Sequence, residues 1–366
     1  MAKIAILGSG HGACTYAAYL GKRGHEVHLY DSKQFESNLT PIKEAGGMEL
    51  TMADTGFGPI AMVTTDIKEA IEGVEVINIV VPGFGHRPLA EQIAPYLKAN
   101  QIVVLNPGSV FGALEFLNTL RQCGNHEDVT ICETASNIFA TRRVGPTTVR
   151  VAAVKKQMEI ASLPADRIDD VIKKLDVFFP GLYVKLPNVI YSSLMYTNML
   201  IHPVGTVLNM GRIEYTKGQY DFYWEGLTPG VCNNIEAVDQ ERLALGAAMG
   251  FPQTDGMEIF HRYYGHREWD SWHTFFTQSL AHGGNGPSAP PSLQHRYLTE
   301  DIPYALVPMT AVGEVMGVPM PHMNALVTLA CTGIGENYRE TGRSLKRLGL
   351  EGLNKEQIIR RFVEGK

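Results

Sequence analysis

A doubly wound α/β sheet at the N-terminus, followed by an all-helical C-terminal domain, is the fold class that this 366-residue chain predicts. Three observations predict it. The first half alternates short β-branched runs with helical periodicities, as parallel βαβ units do. The first of those runs, Lys3–Leu7, leads directly into Gly8-Ser9-Gly10-His11-Gly12-Ala13. From about Leu186 the pattern changes and long helical periodicities take over. Two domains also suit the length, because one core rarely serves more than ~250–300 residues. The boundary is expected between residues 185 and 186, beside Leu186-Pro187-Asn188. No flexible Gly/Ser linker stands there, so direct packing is expected, with an active site in the cleft.

Composition narrows the function. The chain is 45% hydrophobic and 19% charged, with a net charge of −6. No basic run is present, which argues against nucleic acid and an anionic membrane surface as partners. Five cysteines, Cys14, Cys123, Cys132, Cys232 and Cys331, are odd in number and form no C-x-x-C. They suggest neither a disulfide framework nor a zinc site, and reduced thiols fit a cytoplasmic protein with no metal. No apolar run reaches the ~18–20 residues of a membrane span, and the N-terminus enters a strand without a leader-like pattern. A homodimer is expected only because twofold dimers are the commonest assembly.

Taken in order, the first half reads as a Rossmann-type domain, residues 1–185. After strand Lys3–Leu7, Gly8 permits a tight turn and Gly10 lets backbone approach a pyrophosphate. Ala13 lets the following helix, about Ala13–Arg23, pack close to the strand. His11 and Gly12 complete the loop, and the free N–H groups of the helix start favour phosphate. A second strand, Glu26–Tyr30, ends at Asp31, 21 residues after Gly10, where an acid reaches the adenosine ribose hydroxyls. Asp31 favours NAD, since its charge repels a 2′-phosphate. Ser32 and Lys33 soften that rejection, so NADP stays open. Thr65 or Asp66 caps a helix Ile67–Ile71. Strand Glu75–Val81 ends in the loop Pro82-Gly83-Phe84-Gly85-His86. Loops at carboxyl ends of strands surround the cofactor, so Pro82 is a candidate for the nicotinamide side. His86 reads equally as a surface residue or a substrate contact. Strand Ile102–Leu105 ends in Asn106-Pro107-Gly108. Val129–Cys132, Thr147–Val154 and Tyr183–Lys185 then read as strands closing the sheet, with a helix Asp166–Val177 among them.

The second half, residues 186–366, contains Asn198–Asn209, NMLIHPVGTVLN. On a helix its spacing puts Asn198, His202 and Asn209 on roughly one face. A lone His in an apolar helix is most simply a core residue. Two features point to a proton donor instead: the dinucleotide signature upstream, and Pro203, which must kink or restart the helix. The remaining helical periodicities are Tyr191–Ile201, Val231–Met249, Met257–Tyr264, Tyr304–Met316 and Met320–Thr332. Between them lie two irregular, aromatic-rich segments, Arg212–Pro229 and Gly265–Leu298. In the second, Gly283–Pro291 reads as a surface loop or a lid. Arg296-Tyr297-Leu298-Thr299-Glu300-Asp301 opens the helix at Tyr304. Asp301 suits plain capping, or a carboxylate orienting His202. Arg296 suits a surface ion pair, or a fork for a substrate carboxylate. Spacing alone does not pair residues about a hundred apart.

Several segments together resemble the octopine/nopaline (opine) dehydrogenase family. They are GSGHGA, VVPGFGHRPLAEQIAPYL, LNPGSVFGALEF, ETASNIFATRR, NMLIHPVGTVLN and, above all, RYLTEDIPYALVPM. The resemblance implies a His–Asp dyad, falling on His202 and Asp301, and a carboxylate-binding Arg, falling on Arg296. It implies a nicotinamide cofactor, NAD(H) favoured and NADP(H) open. The implied activity is reductive condensation of a 2-oxo acid with the amino group of an amino acid. Asn198 and His86 join Arg296 as substrate-binding candidates. Two departures concern recognition: Thr141 stands before Arg142 where some members carry Cys, and His86 stands where some carry a Gln-type side chain. The alternatives are a reductase of a 2-oxo or 3-oxo acid acting on the carbonyl itself, and a non-catalytic nicotinamide-binding regulator. For the amine partner, Glu214, Asp221, Glu225, Glu258 and Asp270 suit a basic side chain. Tyr223, Trp224, Trp269 and Trp272 suit an apolar one.

Overall fold

The computed structural model describes residues 1–265, 269–279, 282–284 and 286–366. The chain divides into two compact units, Met1–Ser193 with Arg360–Lys366, and Leu194–Ile359. The expected boundary at 185/186 therefore falls inside the first unit. The Ser192 and Ser193 hydroxyls explain why: both donate to Oε1 of buried Glu133, at 2.7 and 2.6 Å. Ser193 Oγ also accepts the Phe111 N–H at 2.8 Å. The chain end returns to this unit too, with Phe362 packed 4.6 Å from Phe111.

The first unit is built on strands β1 (Lys3–Leu7), β2 (Glu26–Tyr30), β3 (Gly47–Met52), β4 (Gly56–Pro59), β5 (Met62–Thr64) and β6 (Val76–Ile79). They are followed by β7 (Ile102–Leu105), β8 (Thr130–Thr134), β9 (Phe139–Gly145), β10 (Thr148–Val154), β11 (Met158–Leu163) and β12 (Tyr183–Lys185). Eight form one sheet in the order β12-β11-β8-β7-β6-β1-β2-β5. From β5 to β8 every pairing is parallel, and β11 joins β8 antiparallel. Strands β6, β7 and β8 are buried at every residue, the continuous apolar run expected of a sheet covered on both faces. Strand order reverses at β1, between β2 and β6. The carboxyl ends of β1 and β6 therefore flank the crevice where doubly wound sheets bind their ligands.

Strand β10 does not close this sheet. It lies in a second, four-stranded sheet of order β4-β3-β10-β9. Alternation is the physical reason: over much of β9 and β10 more exposed residues alternate with less exposed ones, as in strands covered on one face. That covered face lies over the helix His11–Lys22, at small residues. A Cβ on Gly58 would come 2.0 Å from the Ala18 carbonyl oxygen, and one on Gly21 would come 1.9 Å from that of Pro59. Only glycine permits so close a crossing.

The second unit is helical. The periodicity Tyr191–Ile201 resolves into two helices, Val189–Leu194 and Asn198–Val207. The restart comes at Asn198, and the second helix runs through Pro203. Longer helices follow at Pro229–Ala248, Gly256–Tyr264, Val307–Met316 and Pro321–Ile334. The aromatic segment 212–229 is held by a turn, Phe222–Gly226, which Asp221 caps by accepting the N–H groups of Tyr223 and Trp224. Within the expected surface loop Gly283–Pro291, Asn285 lies outside the described residues. The Gly284 N–H donates to Asp221 at 2.7 Å. No described helix is long and apolar enough to cross a membrane. Among the described residues, no group of three or more His, Cys, Asp or Glu is placed to hold a metal ion.

Candidate active site

In the first unit the glycine loop sits at the switch point. Gly8 has φ +120°, and a Cβ there would lie 2.6 Å from the Val80 carbonyl oxygen, so glycine is required on both counts. A Cβ on Gly10 would meet nothing within 4 Å, which leaves its backbone approachable by a ligand. Gly12 lies against Asn137 and Val80, and Ala13 is fully buried. No side chain caps the helix that Gly10 begins, so its first N–H groups suit a diphosphate. Asp31 is in place at the end of β2. It accepts the Ser9 hydroxyl at 2.6 Å and the Ser32 N–H at 2.8 Å. Burial raises its pKa above the usual carboxylate range, against the pull of those bonds. Pro82 opens the helix Gly83–Ile93 at the end of the β6 segment. These residues fit a nicotinamide dinucleotide.

The structure adds residues that spacing did not show. The Arg143 N–H donates to His11 Nδ1 at 3.0 Å, and its guanidinium reaches the carbonyls of Ser9 (3.4 Å) and Asn38 (3.0 Å). Strand β9 thereby ties the second sheet to the glycine loop. Burial, then Arg142 and Arg143, lower the His11 pKa. His86 is neither a loop residue nor an exposed one. It belongs to the helix Gly83–Ile93, is fully buried, and lies against Gly112.

In the second unit His202 Nδ1 lies 2.8 Å from Asp301 Oδ2. Asp301 is fully buried and His202 is 8% exposed. Although Asp301 precedes a helical turn, its carboxylate makes no capping bond. Its other oxygen, Oδ1, accepts the hydroxyl of buried Tyr196 at 2.8 Å. Burial, then the charges of Asp301 and Glu300, hold the Tyr196 pKa well above normal, so it stays a donor. The Asn198 amide lies 3.4 Å from the same hydroxyl. Asn209 does not join them. It lies beyond the helix end, where its amide donates to the carbonyls of Gly205 and Gly226. Arg296 is half exposed, 3.1 Å from Glu300. Burial opposes its charge, but Glu300, Tyr196 and Asp301 outweigh that and raise its pKa.

The His202 ring is fixed on its face as well. Tyr297 stacks on it with centroids 3.7 Å apart and planes 12° apart. His295 accepts the Tyr297 N–H at 3.4 Å. Neither Tyr196 nor Tyr297 was singled out by spacing. The signal for Tyr297 was its place beside Arg296, while nothing local marked Tyr196.

Both units resemble parts of known proteins. Residues 185–334 match the NAD/NADP octopine/nopaline dehydrogenase alpha-helical domain. Residues 3–108 match the NAD-dependent glycerol-3-phosphate dehydrogenase N-terminus. An opine dehydrogenase of Arthrobacter sp. (strain 1C) is 34% identical over 354 residues, 95% of each chain. The chain belongs to the opine dehydrogenase family. It is an NAD(P)-dependent oxidoreductase of the class acting on CH–NH donors. The fold is shared with an octopine dehydrogenase solved with NADH and agmatine. That match has a TM-score of 0.79 at 19% identity, covering 100% of this chain and 98% of the other. It is shared too with a yersinopine dehydrogenase solved with NADP+, at TM-score 0.76 and 14% identity, covering 99% and 98%.

Proposed function

We propose that this opine dehydrogenase joins a 2-oxo acid, pyruvate first among them, to the amino group of an amino acid, giving an N-(1-carboxyalkyl)amino acid and water. The observation that carries the reading is the buried Tyr196–Asp301–His202 array, in which a carboxylate that could have capped a helix instead holds an imidazole. With Nδ1 held by Asp301, Nε2 is the nitrogen left to exchange protons. His202 takes a proton from the substrate ammonium, so that the amine attacks the oxo carbon. It returns a proton to the carbinol oxygen, which leaves as water. Bound NAD(P)H supplies the hydride that reduces the resulting imine. Proton transfer of this kind contributes ~10²–10⁴ in rate. Asp301 stabilises the imidazolium, and Tyr196 holds Asp301. Arg296 and Asn198 bind substrate, Arg296 through the oxo-acid carboxylate. Asp31 makes NADH the preferred cofactor, with Gly8, Gly10, His11, Gly12, Ala13 and Pro82 shaping its site. Free thiols at all five cysteines support a cytoplasmic setting.

The test is NADH oxidation with pyruvate, alone and with each proteinogenic amino acid, repeated with NADPH. Oxidation that needs pyruvate and an amino acid together is the expected result. Oxidation with an oxo acid alone would replace this reading with a simple oxo-acid reductase.

A further inference from the structure

A wall of rings leads away from His202. It begins with Tyr297, stacked on the imidazole. The Tyr223 hydroxyl hydrogen-bonds that of Tyr297. Tyr223 then meets His282 at 5.3 Å, and His282 sits edge-on to Tyr264 at 4.7 Å and Phe276 at 5.7 Å. Phe276 is fully buried behind. Tyr297, Tyr223 and His282 are half-buried, and Tyr264 is exposed at the open edge. His282 Nδ1 is 2.8 Å from the Ser279 hydroxyl. Burial, then the neighbouring His202, push its pKa down to about 4, so it is uncharged at neutral pH.

Among the described residues, every acid named for a basic substrate except Glu214 is engaged in other contacts. Asp221 caps its own turn and accepts the Gly284 N–H. Glu225 pairs with Arg212 and Glu258 with Arg262. Asp270 accepts the Thr274 hydroxyl. Asp301 is held by His202 and Tyr196, and Glu300 by Arg296. Glu214 stands exposed on the helix Met210–Thr216.

We infer that the wall Tyr297–Tyr223–His282 receives the side chain of the amino-acid substrate, and that this side chain is apolar, as in leucine, methionine or phenylalanine. The inference rests on the opine reading above and names its second substrate. A cation over tyrosine rings gains less than it loses by leaving water without a counter-ion. A hydrocarbon side chain gains on every ring it covers. The neutral His282 offers a basic side chain no compensating charge.

The experiment compares kcat/KM for L-leucine, L-methionine and L-phenylalanine with that for L-arginine and L-lysine, at saturating pyruvate and NADH. The apolar group is expected to lead by about tenfold or more. Equal or higher values for arginine or lysine would overturn the inference and leave the opine activity standing. Absence of oxidation with every amino acid would overturn the opine reading, and this one with it. In Tyr223→Ala, the KM for the apolar amino acid is expected to rise about fivefold while that for pyruvate stays put, and Tyr223→Phe restores it. A parallel rise in both KM values, or a loss confined to kcat, would contradict the assignment.

Discussion

Between Leu7 and Asp31 the first unit builds its site from backbone and short spacings. The second unit instead brings His202 and Tyr196 to Asp301 across 99 and 105 residues of chain. The cofactor loop owes its shape to the absence of side chains: at Gly8 a Cβ would strike the Val80 carbonyl, and at Gly10 one would point into open space. The dyad owes its shape to side chains at every turn, with a carboxylate on Nδ1 and a tyrosine ring on the face of the imidazole. One site can be damaged by adding atoms, the other by removing them. Binding and turnover should therefore separate under mutation.

The largest expected effect is from His202→Ala, which should lower kcat by ~10²–10⁴ while leaving the NADH dissociation constant nearly unchanged. A matching loss of NADH affinity, read by fluorescence titration, would break the comparison. Asp301→Asn keeps the shape but loses the charge, and should cost kcat about 10²-fold or more, again with NADH binding intact. In the other region, Asp31→Ala should weaken NADH by about tenfold and narrow the difference between NADH and NADPH, since it removes the acid suited to the ribose hydroxyls. An unchanged cofactor ratio would count against Asp31. The smallest effect is expected from Tyr196→Phe, which deletes one donor to a carboxylate that keeps its imidazole. A fall in kcat of roughly five- to tenfold, with an altered pH–rate profile and unaltered NADH binding, would sharpen the distinction. A kcat within experimental error of wild type would reduce Tyr196 to a packing residue.

The same contrast decides what could be read without coordinates. Strand β1, the glycine loop, the following helix, β2 and Asp31 were legible because their spacings are local and each residue type has one physical reason to be there. Strands β3 and β4 were not. Gly47–Met52 and Gly56–Pro59 carry glycines, methionines and a proline, and little in them favours a strand. They become strands because β10, about a hundred residues later, pairs with β3. Burial of His86 escaped the sequence reading for a related reason: the helix begins at Gly83, not after His86, and carries the ring into the core. The His202–Asp301 pair came from resemblance to a family rather than from spacing. Tyr196 falls within the periodicity Tyr191–Ile201 with nothing to set it apart, and the structure places it between the helices Val189–Leu194 and Asn198–Val207.

The return of Phe362 to the ring of Phe111 bears on how this protein is made. Domains generally fold as they emerge, N-terminal first. Here most of the nucleotide-binding unit leaves the ribosome before the helical unit, yet it stays one piece short until residues 360–366 have been synthesised. The helical unit, though encoded later, is complete at Ile359. Of the two units, the one begun earlier is thus the one finished later, and a nascent chain stalled before Phe362 carries an uncapped patch on its cofactor-binding half.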